Sequence, residues 1–125
     1  LQEGTEGRDL LVSAQTGSGK TVAFGLALAA QVLPAGPARA PRGLVIAPTR
    51  ELALQVREEL AWLYAEAGAR VVACVGGTDP RAERRALEAG AHLVVGTPGR
   101  LRDHLERGNL DLSGLAAVVL DEADE

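Results

Sequence analysis

Two short runs near opposite ends of the chain carry residue types suited to phosphate chemistry. The first, Ala14-Gln15-Thr16-Gly17-Ser18-Gly19-Lys20-Thr21, follows an apolar β-rich run and leads into a helix-period segment. Its glycines let successive backbone N–H groups converge on phosphate oxygens, and the helix N-terminus adds partial positive charge. Lys20, the one lysine among 13 basic residues, would reach the β- and γ-phosphates of a nucleotide as a compact charge. The Thr21 hydroxyl would ligate Mg2+. Ala14 stands where the generic phosphate-loop pattern has its first glycine. The competing reading is a glycine-rich turn with a capping Ser or Thr.

The second run is Asp121-Glu122-Ala123-Asp124, directly after the apolar stretch Ala116 to Leu120. Carboxylates this close repel one another unless a cation sits among them, and Mg2+ held by one or two carboxylates plus phosphate relieves that repulsion. Asp121 is the natural metal partner, through water, and Glu122 is placed to orient or deprotonate an attacking water. A run of acids by itself reads as a solvated tail. The phosphate-loop pattern upstream and the apolar run just before it favour the metal.

Such residues need elements to hold them. Short apolar runs alternate with helix-period segments, which predicts an α/β fold with an open, mostly parallel sheet and helices on both faces. Strands are expected at Asp9 to Ala14, Leu44 to Ala47, Arg70 to Val75, His92 to Val95 and Ala116 to Leu120. Helices are expected over Thr21 to Val32, Arg50 to Glu66, from an Asp79 cap and Pro80 to a stop at Gly90, and Arg100 to Arg107 before Gly108. Pro34 to Arg42 reads as a surface loop. In open parallel sheets ligands bind beyond the carboxyl ends of the strands. The segments of interest are therefore Gln15 to Lys20, Pro48 to Glu51, Gly76 to Asp79, Gly96 to Arg100 and Asp121 to Glu125.

Composition narrows the class. The 125 residues are 46% hydrophobic and 24% charged, as in a single globular domain, and residues 1 to 120 hold 13 acids against 13 bases. The net charge of −4 therefore belongs to the terminal acidic cluster and does not argue against a polyanionic partner. A single cysteine, Cys74, excludes an internal disulfide, and no thiol or histidine spacing suits a metal, so a reducing, cytoplasmic setting is expected. The longest run of apolar residues and glycine, Val22 to Ala30, is far short of the ~18 residues a membrane span needs.

With both phosphate-chemistry runs in view, the sequence resembles the N-terminal RecA-like domain of DEAD-box ATP-dependent RNA helicases. AQTGSGKT (Ala14 to Thr21), PTRELA (Pro48 to Ala53) followed by LQ, the pair Gly76-Gly77, TPGR (Thr97 to Arg100) and DEAD (Asp121 to Asp124) occur in the family's order and span nearly the whole chain. The resemblance implies ATP and Mg2+ as cofactors. Residues Ala14 to Thr21 would hold the nucleotide, Lys20, Asp121 and Glu122 would be the catalytic set, and Thr21 and Asp121 would hold the metal. It also implies that Thr49, Arg50, Gly77, Thr97, Gly99 and Arg100 grip RNA, in a way that suits sequence-independent backbone binding. Taken singly, Pro48 and Pro98 would only stop strands, Thr49 and Thr97 would cap helices, and Arg50 and Arg100 would pair with carboxylates.

The family's adenine-recognising residues would lie upstream of Leu1, Gln2 being too close to the phosphate loop. Its Ser-Ala-Thr motif and its second RecA-like domain, with the arginine fingers, would lie beyond Glu125. Residues 1 to 125 are thus expected to be a partial domain of an RNA helicase, truncated after the DEAD strand. By itself it would bind nucleotide and RNA without turnover, and a DNA-directed relative is the other alternative. A strand from beyond the acidic motif is expected between the first and last strands, so that its loss would leave a gap. Among the remaining residues, Trp62 and Tyr64 are expected to pack against neighbours, and Cys74 to be a core residue. Arg81, Glu83, Arg84, Arg85 and Glu88 are expected to form a charged helix surface. His92 and His104 are assigned no chemistry.

Overall fold

In the computed structural model the five apolar runs are the strands of one parallel sheet. The structure describes the backbone of residues 10–15, 25–27, 29 and 40–122, with side chains at 25–27, 29 and 40–121. The strands are β1 (Leu10–Gln15), β2 (Gly43–Ile46), β3 (Val71–Cys74), β4 (Leu93–Gly96) and β5 (Ala117–Glu122), in the order β1-β5-β2-β4-β3. Between them come α1 (Arg50–Leu63), α2 (Pro80–Glu88) and α3 (Pro98–Glu106). Residues 25–27 and 29 are also helical, inside the span expected from Thr21 to Val32, whose other residues lie outside the described ones. So does most of the loop from Pro34 to Arg42.

Local chemistry sets the helix ends. Thr49 caps α1 by accepting from the Leu52 N–H at 3.2 Å, and Asp79 caps α2 by accepting from the Arg81 N–H at 3.0 Å. Helix α1 stops at Leu63, earlier than the expected Glu66, because the chain tightens into the 3-10 turn Ala65–Ala67 and Gly68 takes φ 75°. Helix α3 begins at Pro98 rather than Arg100. Proline's fixed φ and missing N–H suit the first helical position.

Alternation along the strands feeds two apolar layers. Val45, Leu93, Val95 and Val119 pack with Leu52, Ala53, Val56, Leu60 and Tyr64 on one face. Leu44, Val72, Cys74 and Val94 pack with Leu87 of α2 and Leu101 of α3 on the other. Both faces are thus covered by helices. Each buried Leu or Val contributes about 1.5–3 kcal/mol. Tyr64 is buried as expected, but Trp62 is 74% exposed, because it falls on the solvent side of the α1 stripe formed by Leu52, Val56 and Leu60.

The expected gap is not present. β1 pairs directly with β5 from Leu10↔Ala117 to Gln15↔Glu122, so the ladder groups along that side of β5 are taken up by β1. No helix among the described residues is long and apolar enough to cross a membrane.

Candidate functional site

The strand order sorts the five segments into two halves of one sheet edge. β1 and β5 are neighbours, with Ala14 opposite Asp121 and Gln15 opposite Glu122. The strand that runs into the phosphate-loop sequence and the strand that ends in the acidic sequence therefore finish at the same level. Asp121 is 2% exposed. A buried carboxylate at this end of the sheet supplies the hard oxygen donors that Mg2+ takes, so the residues present fit the metal. Thr16, Gly17, Ser18, Gly19, Lys20, Thr21 and the Glu122 side chain lie outside the described residues, as do the side chains of Ala14 and Gln15.

The other half is built on β2, β4 and β3, which are also adjacent. The Ala47 N–H donates to the Gly96 carbonyl at 2.9 Å, and the Thr97 N–H donates to the Cys74 carbonyl at 3.2 Å. These bonds carry the ladder one step past the strands, so that Pro48 to Arg50, Gly76 to Thr78 and Thr97 to Arg100 leave the sheet together. Thr49, Arg50, Gly77 and Gly99 are exposed, Thr97 and Arg100 half-buried. Gly77 has φ 87°, and the Arg50 side chain lies over it. Thr97 makes no side-chain cap bond, unlike Thr49.

Beneath this surface is a cluster that sequence reasoning missed. Glu83 is only 6% exposed and does not belong to a charged helix surface. Its Oε1 accepts from Arg100 Nη1 and from His104 Nε2, each at 2.8 Å. Its Oε2 accepts from the Val75 N–H at 2.9 Å and the Thr78 hydroxyl at 2.6 Å. Burial alone would raise the Glu83 pKa, but the bonds from Thr78, His104, Val75 and Arg100 together hold it below the usual glutamate value. A usable signal existed. Glu83 and the buried Leu87 are four apart on α2, and His104 lies three beyond the buried Leu101 on α3, so each shares a face with core.

Donor atoms of Cys74, Glu83 and His104 lie within 4.8 Å of one another. Burial, reinforced by Glu83 and opposed by Arg100, pushes the Cys74 thiol up to about 12, and the carboxylate is occupied by four donors. The bonds from Val75, Thr78, Arg100 and His104 make this a hydrogen-bonded cluster centred on the Glu83 carboxylate, with the buried Cys74 thiol beside it.

The sequence profile of DEAD/DEAH box helicases matches residues 1–125, the full length of the chain. The chain belongs to the DEAD/DEAH box helicase family. Within that family it is 55% identical over 121 residues to the ATP-dependent RNA helicase DeaD of Klebsiella pneumoniae, covering 96% of this chain and 18% of the relative. It is 47% identical over 120 residues to the ATP-dependent RNA helicase eIF4A of Eremothecium gossypii, covering 96% of this chain and 30% of the relative. The crystal structure of the yeast DEAD-box splicing factor Prp28 superposes with a TM-score of 0.75 at 32% identity, over 90% of this chain and 28% of that one. The chain thus spans less than a third of the length of these DEAD-box relatives, and its sheet is the RecA-like sheet of that family.

Proposed function

We propose that the protein carrying this chain is an ATP-dependent RNA helicase, in which these residues supply the ATP site and part of the RNA grip. The observation that carries the reading is the division of one sheet edge. Adjacent β1 and β5 lead to the phosphate-loop and acidic sequences, while adjacent β2, β4 and β3 lead to three segments rich in glycine N–H, threonine and arginine. ATP bound at one half would thus lie beside RNA bound at the other.

Ala14 to Thr21 would wrap the ATP phosphates with backbone N–H groups, and Lys20 would neutralise the β- and γ-phosphates. Thr21 and Asp121, the latter through water, would hold Mg2+, which when bound screens the charge that develops on the transferred phosphate. Glu122 would accept a proton from the attacking water. Thr49, Arg50, Gly77, Thr97, Gly99 and Arg100 would contact phosphates and sugars without reading bases. A second RecA-like domain of the same protein would close over both ligands and contribute transition-state arginines. The buried, protonated Cys74 thiol suits a cytoplasmic protein.

Two substitutions in the full-length protein test the ATP half. Lys20→Ala should weaken ATP binding by about tenfold or more, and Glu122→Gln should keep ATP binding while lowering hydrolysis by about 100-fold. Unchanged ATP affinity in the first, or unchanged turnover in the second, refutes the corresponding role.

A further inference from the structure

The four bonds to Glu83 join two segments that the sequence keeps apart. Val75 and Thr78 flank Gly76-Gly77 at the end of β3. Arg100 closes Thr97-Pro98-Gly99-Arg100 at the start of α3. A single carboxylate holds both. Arg100 Nη2 also donates to the Thr78 carbonyl at 3.3 Å, which completes a ring of bonds around the turn. His104 steadies the carboxylate from below. It is fully buried, and its Nδ1 lies 3.1 Å from Asn109 Nδ2. With Nε2–H donating to Glu83, Nδ1 is left to accept from the Asn109 amide.

We infer that Glu83 is a positioning residue for the RNA grip: it fixes the Gly76-Gly77 turn against the N-terminus of α3, so that both segments meet successive phosphates of one strand in register. The inference rests on the RNA reading above. Stability alone does not ask for a carboxylate here. A buried ion pair is often no more stabilising than apolar residues of similar volume, and this position lies beside Cys74 and shares its helix face with the buried Leu87. What an apolar residue would not do is set the distance and orientation of a turn N–H, a threonine hydroxyl and a guanidinium at once. The Arg100 side chain is 13% exposed, so its orientation is governed by this pairing.

The test is RNA-stimulated ATP hydrolysis by the full-length protein, titrated with a single-stranded oligouridylate. Glu83→Gln should raise the RNA concentration for half-maximal stimulation about tenfold, while the rate at saturating RNA and the KM for ATP stay within about twofold. Arg100→Ala should act in the same direction, and adding Glu83→Gln to it should cost no more than about a further twofold, because the two residues work as a unit. An unchanged or lower RNA requirement in Glu83→Gln overturns the inference, as do effects that multiply in the double variant. Should Glu83→Gln fail to fold, Thr78→Val removes one bond to the same carboxylate from an exposed position and should raise the RNA requirement about threefold. Arg50→Ala, outside the cluster, separates the two levels. If it weakens RNA while Glu83→Gln does not, the positioning role fails and the RNA face stands; if no variant moves the RNA requirement, both fall.

Discussion

The Arg50 guanidinium packs across Gly77: a Cβ at position 77 would meet Arg50 Nε at 3.3 Å and Cζ at 3.4 Å. Two segments on different strands, β2 and β3, are thereby in contact at the exposed end of the sheet. Glu83 joins the second of them to a third, on β4. The three segments of the proposed RNA face form one connected surface rather than three separate loops.

Gly77→Ala should disturb that surface in two ways. At φ 87° a side chain costs about 1–2 kcal/mol, and the new methyl also presses on Arg50. The expected result is a loss of RNA affinity of about tenfold or more with ATP affinity retained, read by fluorescence anisotropy of labelled RNA. Wild-type RNA affinity would show that the turn and Arg50 are not part of the grip.

Gly96 marks a tighter constraint. A Cβ there would lie 2.6 Å from the Cys74 carbonyl oxygen and 2.7 Å from Leu101 Cγ and Cδ2. The carbonyl belongs to a neighbouring strand, so relief requires moving backbone. Gly96→Ala should destabilise the domain by about 1–3 kcal/mol in urea unfolding, and no shift of the midpoint would contradict the close approach of β4, β3 and α3.

Much of this was legible in sequence. Strand positions follow from apolar runs, and Asp79, Pro80 and Gly90 mark the ends of α2 by their own backbone chemistry. Strand order was not legible: β2, β3 and β4 are apolar throughout, covered on both faces, and such runs carry no register or neighbour signal. Glu83 was legible only through its four-residue spacing from Leu87: beside Arg84 and Arg85 a carboxylate reads as surface until the helix face it shares with Leu87 is known to be buried. Thr49 caps α1 and Arg100 pairs with Glu83, the capping and pairing roles that the sequence also allowed, and the proposed RNA contacts would fall on the same residues.

Tyr64 ties α1 to the helical residues that follow the phosphate-loop sequence. Its hydroxyl donates to the Gly25 carbonyl at 2.6 Å, and burial pushes its pKa up to about 12. Below pH 10 the phenol is neutral in folded and unfolded chains, and its contribution is intact. As pH rises from 10 towards 12 the unfolded chain ionises first, and that contribution is lost. Tyr64→Phe should cost about 1 kcal/mol at neutral pH and show a shallower loss of stability across this alkaline range. Parallel pH dependences for the two proteins would contradict the placement of Tyr64.

Steady-state phosphate release by the full-length protein, compared with single-stranded RNA, with DNA of the same length and with neither, bears most directly on the proposed function. RNA should accelerate release by about tenfold or more, and DNA should leave it near the unstimulated rate, since the 2′-hydroxyl is what distinguishes the two backbones. A rate indifferent to RNA would contradict the coupling of the two halves of the sheet edge, and equal acceleration by DNA would contradict RNA as the substrate.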